Sequence, residues 1–186
     1  MLAIDGPIDK AVLAISILSS LKLSLVVVAI NNPIPNKLVI NEFVDYNCGY
    51  CKKTLPTITK LIKNFDDIQI VFVDYPILSD SSEIAARASL AANEQNAYFE
   101  YHTILLNNTK SINEGFLYKI AKELSLDIEK FKRDMSSEKI KSNVIKNVEF
   151  ANSLKIRGTP TFIIGKQILP GAYDYEQLKK IILENS

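Results

Sequence analysis

The chain of 186 residues holds two cysteines, Cys48 and Cys51, three positions apart in Cys48-Gly49-Tyr50-Cys51. A thiol at the first turn of a helix meets free amide groups and the positive end of the helix dipole, which favour the thiolate and make it a nucleophile toward sulfur. A second thiol one turn further in is shielded, yet close enough to displace a mixed disulfide formed at the first. The spacing supports thiol–disulfide exchange with unequal roles, provided that a helix starts at Cys48. Two inert structural thiols would explain neither the spacing nor that position.

Two further features agree with this chemistry. Glu42 stands six residues before Cys48 on a predicted strand whose alternation turns it to a buried face, where a carboxylate can exchange a proton with Cys51. In Gly158-Thr159-Pro160-Thr161 a proline precedes a predicted strand; having no N–H, it belongs at the strand's entrance, and a cis Thr159–Pro160 bond suits such a turn. The Thr159 backbone is then free to pair with an extended substrate. His102, the only histidine, lies far from the cysteines in sequence and is read as a satisfied structural side chain.

Several classes are excluded. Two cysteines cannot build a four-cysteine zinc site or a multi-bridge secreted scaffold, and one histidine cannot complete a mixed set, so no metal is expected. A net charge of +1 leaves no basic patch for nucleic acid, and stretches such as Lys119-Ile-Ala-Lys-Glu123 read as solvated helix faces.

The elements that must position these residues follow from hydrophobic period. Leu38 to Val44 reads as a buried strand, the residues from Cys48 to Phe65 as a helix through Leu55, Ile58, Leu61, Ile62 and Phe65, and Ile68 to Val73 as a second strand parallel to the first. Helical signal runs from Ser81 to Lys155, with breaks near 107–109, 125–127 and 136–137, and Ser111-Ile-Asn-Glu114 fits a capping box. Thr161 to Ile164 and Gln167 to Leu169 form a hairpin about Gly165-Lys166, and a last helix spans Asp174 to Glu184. The expected division is 1–24 as an N-terminal helical extension, 25–80 as the first sheet part, 81–155 as an inserted helical domain and 156–186 as the second sheet part.

The start of the chain differs in kind, with Asp5, Asp9, Lys10 and Lys22 its only charges before Lys37. Ala11 to Ile30 is long enough to span a bilayer, but Ser16, Ser19, Ser20, Lys22 and Ser24 interrupt it, and the acidic start does not fit an export signal, which is not evident. We read a helix over Ile8 to Lys22 and a strand over Leu23 to Ala29. Apolar nearly all round, that helix must be covered either by its own domain or by a second subunit.

Together, Glu42-Phe-Val-Asp-Tyr-Asn-Cys-Gly-Tyr-Cys-Lys52, Asp74-Tyr-Pro-Ile-Leu-Ser79, Ala85-Ala-Arg-Ala88 and Gly158-Thr-Pro-Thr-Phe162 resemble the DsbA-like thioredoxin family of bacterial exported disulfide oxidoreductases, over most of the chain from Leu25 to Asn185. The resemblance implies an α/β thioredoxin fold interrupted by a helical domain, with Cys48 the nucleophile, Cys51 the resolving thiol, Glu42 the buried proton carrier and Thr159-Pro160 the substrate-binding cis-proline loop. It implies no cofactor beyond the Cys48–Cys51 redox pair, a periplasmic or otherwise exported setting, unfolded or misoxidised exported proteins as substrates and a membrane redox partner for recycling. Strong oxidants of the family carry Pro-His between the cysteines and Val before the cis proline. Gly49-Tyr50 and Thr159 instead resemble the disulfide isomerases, which are oligomers built through an N-terminal extension. The expectation is therefore an isomerase or reductase with a less oxidising pair, assembled as a homo-oligomer, a trimer, through its first helix. The alternatives are a dithiol oxidase and a non-enzymatic peptide-binding chaperone.

Overall fold

The structure, a computed structural model, describes residues 28–30 and 38–185. The expected helix over Ile8 to Lys22 and the extension 1–24 lie outside the described residues, as does most of the strand expected over Leu23 to Ala29. Its described end is strand β1, Val28–Ile30.

Four more strands follow: β2 (Leu38–Val44), β3 (Ile68–Asp74), β4 (Thr161–Ile164) and β5 (Gln167–Pro170). They make one sheet in the order β1-β3-β2-β4-β5, in which β2 and β3 are parallel and the other pairs antiparallel. β2 and β3 are apolar at most positions because both faces of the central sheet are covered, which is why they show little alternation. One face, with Ile40, Val44, Ile70, Phe72, Phe162 and Ile164, packs on Leu55, Ile58 and Leu61 of α1 (Gly49–Asn64) and on Leu178 and Ile182 of α7 (Tyr175–Asn185). The opposite face, with Phe43, Val71, Val73 and Ile163, packs on Ala151 and Leu154 at the end of α6 (Glu138–Ser153). Alternation along β2 puts Glu42 on the first face, beneath α1.

Between β3 and β4 run α2 (Asp80–Asn93), α3 (Tyr98–Asn107), α4 (Glu114–Glu123), α5 (Ile128–Ser136) and α6. Buried Tyr101, Leu105, Leu117, Ile120 and Phe131 continue the core of the first sheet face into these helices. Breaks fall where expected at 107, 125 and 136, but the chain also breaks between Asn93 and Tyr98, a point the sequence reading ran through as helix. There Asn96 takes φ 59° and Ala97 N–H donates to Ala92 O at 3.0 Å, a left-handed stop with a six-residue return bond. Ser125 and Lys155 close α4 and α6 in the same way. With no glycine at any of the three, the usual marker is missing. The capping box expected at Ser111–Glu114 is also corrected: the cap of α4 is Asn113, whose Oδ1 accepts from Phe116 N–H at 3.0 Å, one residue before Glu114 instead of three.

The hairpin turns at Gly165, whose φ of 56° favours glycine and whose missing Cβ leaves room for the side chain of Asn185.

Candidate active site

β2 ends at Val44, three residues turn, and α1 begins at Gly49 with Cys48 as its N-cap residue. The chain leaves the sheet at its core and presents Cys48 where the amides of the first helical turn have no partner of their own. No acidic side chain lies in that turn. Both thiols are free, and Cys48 Sγ lies 3.1 Å from the carbonyl oxygen of Thr159. The Thr159–Pro160 bond is cis, as the sequence suggested, and Pro160 stands just before β4. Residues 111 positions apart are thus brought to one spot.

The two thiols differ sharply. Cys48 is lowered to about 5, first because the Cys51 thiol donates to its sulfur, and then, against the cost of burial, by the Thr159 side chain and the amides of Cys51 and Tyr50. Thr159 Oγ1 has no hydrogen-bond partner among the described residues, so its help is that of a nearby dipole. Cys51, fully buried, is pushed far above the ordinary thiol range by burial and by giving its hydrogen to Cys48. The first-turn amides, from which the sequence expects the thiolate's stabilisation, come after the Cys51 thiol and the Thr159 side chain.

Tyr50 points outward and is 61% exposed, with Lys53 Nζ 5.2 Å from its ring centroid. Gly49 is exposed and has no atom within 4 Å of where a Cβ would stand. Neither residue supplies a cation to the thiolate, whose stabilisation comes from the Cys51 thiol, the Thr159 side chain and the first-turn amides. We expect the far-ultraviolet thiolate absorbance of the reduced protein to titrate with a midpoint of about 5 and the midpoint to rise in Cys51→Ala, which removes the largest stabiliser. A midpoint near the free-thiol value in the unaltered protein would contradict this assignment.

Glu42 is buried behind Cys51, and burial raises its carboxyl to about 8, opposed in part by the Thr54 hydroxyl. Thr54 Oγ1 lies 3.2 Å from Glu42 Oε1 and 2.9 Å from the carbonyl of Cys51, so its single hydrogen serves one of the two at a time. A carboxyl that gains and loses a proton near neutrality, next to a thiol that must lose one before it can attack, is suited to proton exchange with it. Thr54 was not recognised from sequence; its position one helical turn after Cys51 is the signal that could have found it.

Asp45 and the turn 45–47 were also passed over. Beneath that turn, Tyr46 Oη lies 3.0 Å from His102 Nδ1 and 3.4 Å from Tyr98 Oη, and Tyr98 donates to Asp74 Oδ1 at 3.0 Å. His102 is therefore close to the site through Tyr46. Its Nε2 has no partner among the described residues, which departs from the satisfied side chain expected, and burial lowers its pKa to about 3, keeping it neutral. It acts as a packing ring, 4.3 Å from Phe72 between centroids. Burial raises Asp74 to about 7 despite its bonds to Ser89, Tyr46 and Tyr98. Among the described residues there is no cluster of metal-ligating side chains, and no helix is long and apolar enough to cross a membrane.

The fold and this pair of unequal thiols at a helix start opposite a cis proline define a thioredoxin-type dithiol site. Residues 39–183 match the model of the DSBA-like thioredoxin domain, and the chain belongs to that family. It is 30% identical over 162 residues to the probable disulfide bond formation protein D of Bacillus cereus, a match covering 80% of this chain and 73% of that protein. It is also 25% identical over 156 residues to Na(+)/H(+) antiporter NhaA 3 of Salinispora tropica, covering 83% of this chain and 24% of the antiporter, so the chain spans about a quarter of the length of that relative. Among solved structures, the thiol-disulfide exchange protein alpha-DsbA2 of Wolbachia pipientis superposes with a TM-score of 0.81 at 27% identity, covering 95% of this chain and 98% of that one.

Proposed function

We propose that the chain is a thiol:disulfide oxidoreductase acting on exported proteins, with isomerase or reductase activity. The inequality of Cys48 and Cys51 beside the Thr159 carbonyl carries this reading. The Cys48 thiolate attacks a substrate disulfide, one substrate sulfur leaves as a thiolate, and the other forms a mixed disulfide with Cys48. If a second substrate thiolate attacks the mixed disulfide, a substrate bond is rearranged and Cys48 is regenerated with no net redox change. If Cys51 attacks, after giving its proton toward Glu42, the substrate leaves reduced by two electrons and the Cys48–Cys51 disulfide remains. Thr159-Pro160 offers backbone for pairing with an extended substrate segment. Tyr50, Ile77 and Leu78, exposed by 61%, 39% and 54%, supply apolar surface for unfolded chains.

The pair needs no further cofactor but must be returned to the dithiol form by a redox partner, which in an exported setting would be a membrane protein. The apolar stretch from Ala11 to Ile30 supports a homo-oligomer, a trimer, built through residues 1–24, which brings several Cys48 sites to one substrate. A dithiol oxidase is the second reading, favoured by a Cys48 thiolate at about 5, because a stable thiolate makes the pair easier to reduce and so more oxidising.

Refolding of a scrambled multi-disulfide protein separates the two. We expect the reduced protein to restore native activity at catalytic concentration, and its deletion lacking residues 1–24 to scatter light as a smaller species and to isomerise more slowly. Rapid oxidation of a reduced substrate with no recovery from the scrambled one would overturn the isomerase reading in favour of the oxidase.

A further inference from the structure

Asp45 occupies the first position after β2 and is 1% exposed. Its carboxylate is met by four donors: Oδ1 accepts from Asn47 N–H at 2.8 Å and Ser82 Oγ–H at 2.7 Å, and Oδ2 accepts from Ile77 N–H at 2.8 Å and Leu78 N–H at 3.0 Å. The backbone of Asp45 is engaged as well. Its carbonyl accepts from Cys48 N–H at 3.0 Å, and its amide is directed at the Cys51 sulfur. Asn47, the residue before Cys48, extends the same connection, with Nδ2 3.0 Å from Ser79 Oγ and 2.9 Å from Ser82 Oγ. A carboxylate buried in this way is tolerated only when its lone pairs are filled, and four converging N–H and O–H groups require a partner that accepts at both ends. An amide at this position would turn an NH2 group toward backbone N–H donors.

We propose that Asp45 is a positioning residue for the reaction: its carboxylate ties the Tyr46-Asn47 turn, and through it Cys48, to the Ile77-Leu78 loop and the start of α2, holding the nucleophile at the open end of α1 and at a fixed offset from an exposed apolar pair. This rests on Cys48 being the nucleophile. The turn has three residues between the strand and the N-cap residue Cys48, so a change in its path moves Cys48 relative to both the first-turn amides and the Thr159 carbonyl. The charge of Asp45 works in the opposite sense. A negative group near Cys48 opposes the thiolate, so if charge were its only influence, removing it would make the thiolate easier to form.

That opposition makes the test decisive. Asp45→Asn removes the charge and breaks the clamp on one side while keeping the side chain's size. The positioning role predicts that the Cys48 titration midpoint rises by about one unit and that the rate with a small dialkyl disulfide, measured near pH 5, falls by roughly two- to fivefold. Ser82→Ala removes one of the four donors and is expected to shift both quantities in the same direction by less. A midpoint that falls would assign Asp45 a charge effect alone, and an unchanged midpoint with lowered thermal stability would make it merely structural; either overturns the proposal. If Asp45→Asn does not fold, the Ser82→Ala titration decides by the same criterion. A wild-type Cys48 that does not titrate well below the ordinary thiol range would instead refute the nucleophile reading on which the proposal rests.

Discussion

Cys48→Ser is expected to lower the rate of thiol–disulfide exchange by roughly a thousandfold or more, because the residual hydroxyl is not ionised near neutrality and no other described group can form the mixed disulfide. Cys51 is fully buried and its thiolate is strongly disfavoured, so it does not substitute. The complementary variant Cys51→Ala should behave in the opposite way: it keeps the attack and loses the resolution, so that a mixed disulfide with substrate accumulates and can be isolated by non-reducing electrophoresis after acid quenching. A pure isomerase path, in which a substrate thiol resolves the intermediate, predicts partial turnover in Cys51→Ala. A reductase or oxidase path predicts almost none. Full activity in Cys48→Ser would remove enzymatic exchange altogether and leave the peptide-binding chaperone.

Glu42→Leu should have two effects that separate its chemistry from its burial. Resolution by Cys51 is expected to slow by about ten- to a hundredfold, seen as transient mixed disulfide in otherwise wild-type protein, because the buried thiol loses its proton exchanger. Stability should move the other way at alkaline pH. The folded carboxyl titrates at about 8 against 4.5 for an ordinary glutamate, so the folded state holds a proton that the unfolded state releases. The contribution is intact below the unfolded value and is lost as pH rises through the folded one. Wild-type stability should therefore fall between pH 4.5 and about 8, by on the order of 5 kcal/mol, and Glu42→Leu should flatten that slope. Asp74, raised to about 7, contributes in the same sense between 3.8 and about 7 and will persist in the variant. Denaturation midpoints across this range check both statements; equal slopes in the two proteins would show that Glu42 does not hold a buried proton.

The parts of this site that sequence reveals are those whose spacing is itself chemical. Two cysteines one helical turn apart, a carboxylate on an alternating strand and a proline before a strand each limit their own geometry, and Cys48, Cys51, Glu42 and Pro160 stand where those limits put them. Asp45 was invisible as a clamp because three of its four donors come from residues 32 to 37 positions away, and only the bond to Asn47 N–H, two residues on, is local. The Tyr46–His102 contact spans 56 positions, and no local pattern announces it. In the helical part, stops at 107–109, 125–127 and 136–137 were legible, whereas Asn93 and Asn96, separated only by the helix formers Glu94 and Gln95, were read through as helix. Helix termination there depends on a left-handed residue that tertiary packing supports.

Brief alkylation of the fully reduced protein with iodoacetamide near pH 6, followed by peptide mass analysis, tests the central claim most directly, because at that pH an ordinary thiol is almost entirely protonated. The predicted result is a single adduct on Cys48 within the time in which Cys51 and a free reference cysteine remain unmodified. Equal labelling of Cys48 and Cys51, or reaction of Cys48 no faster than the reference, would contradict it.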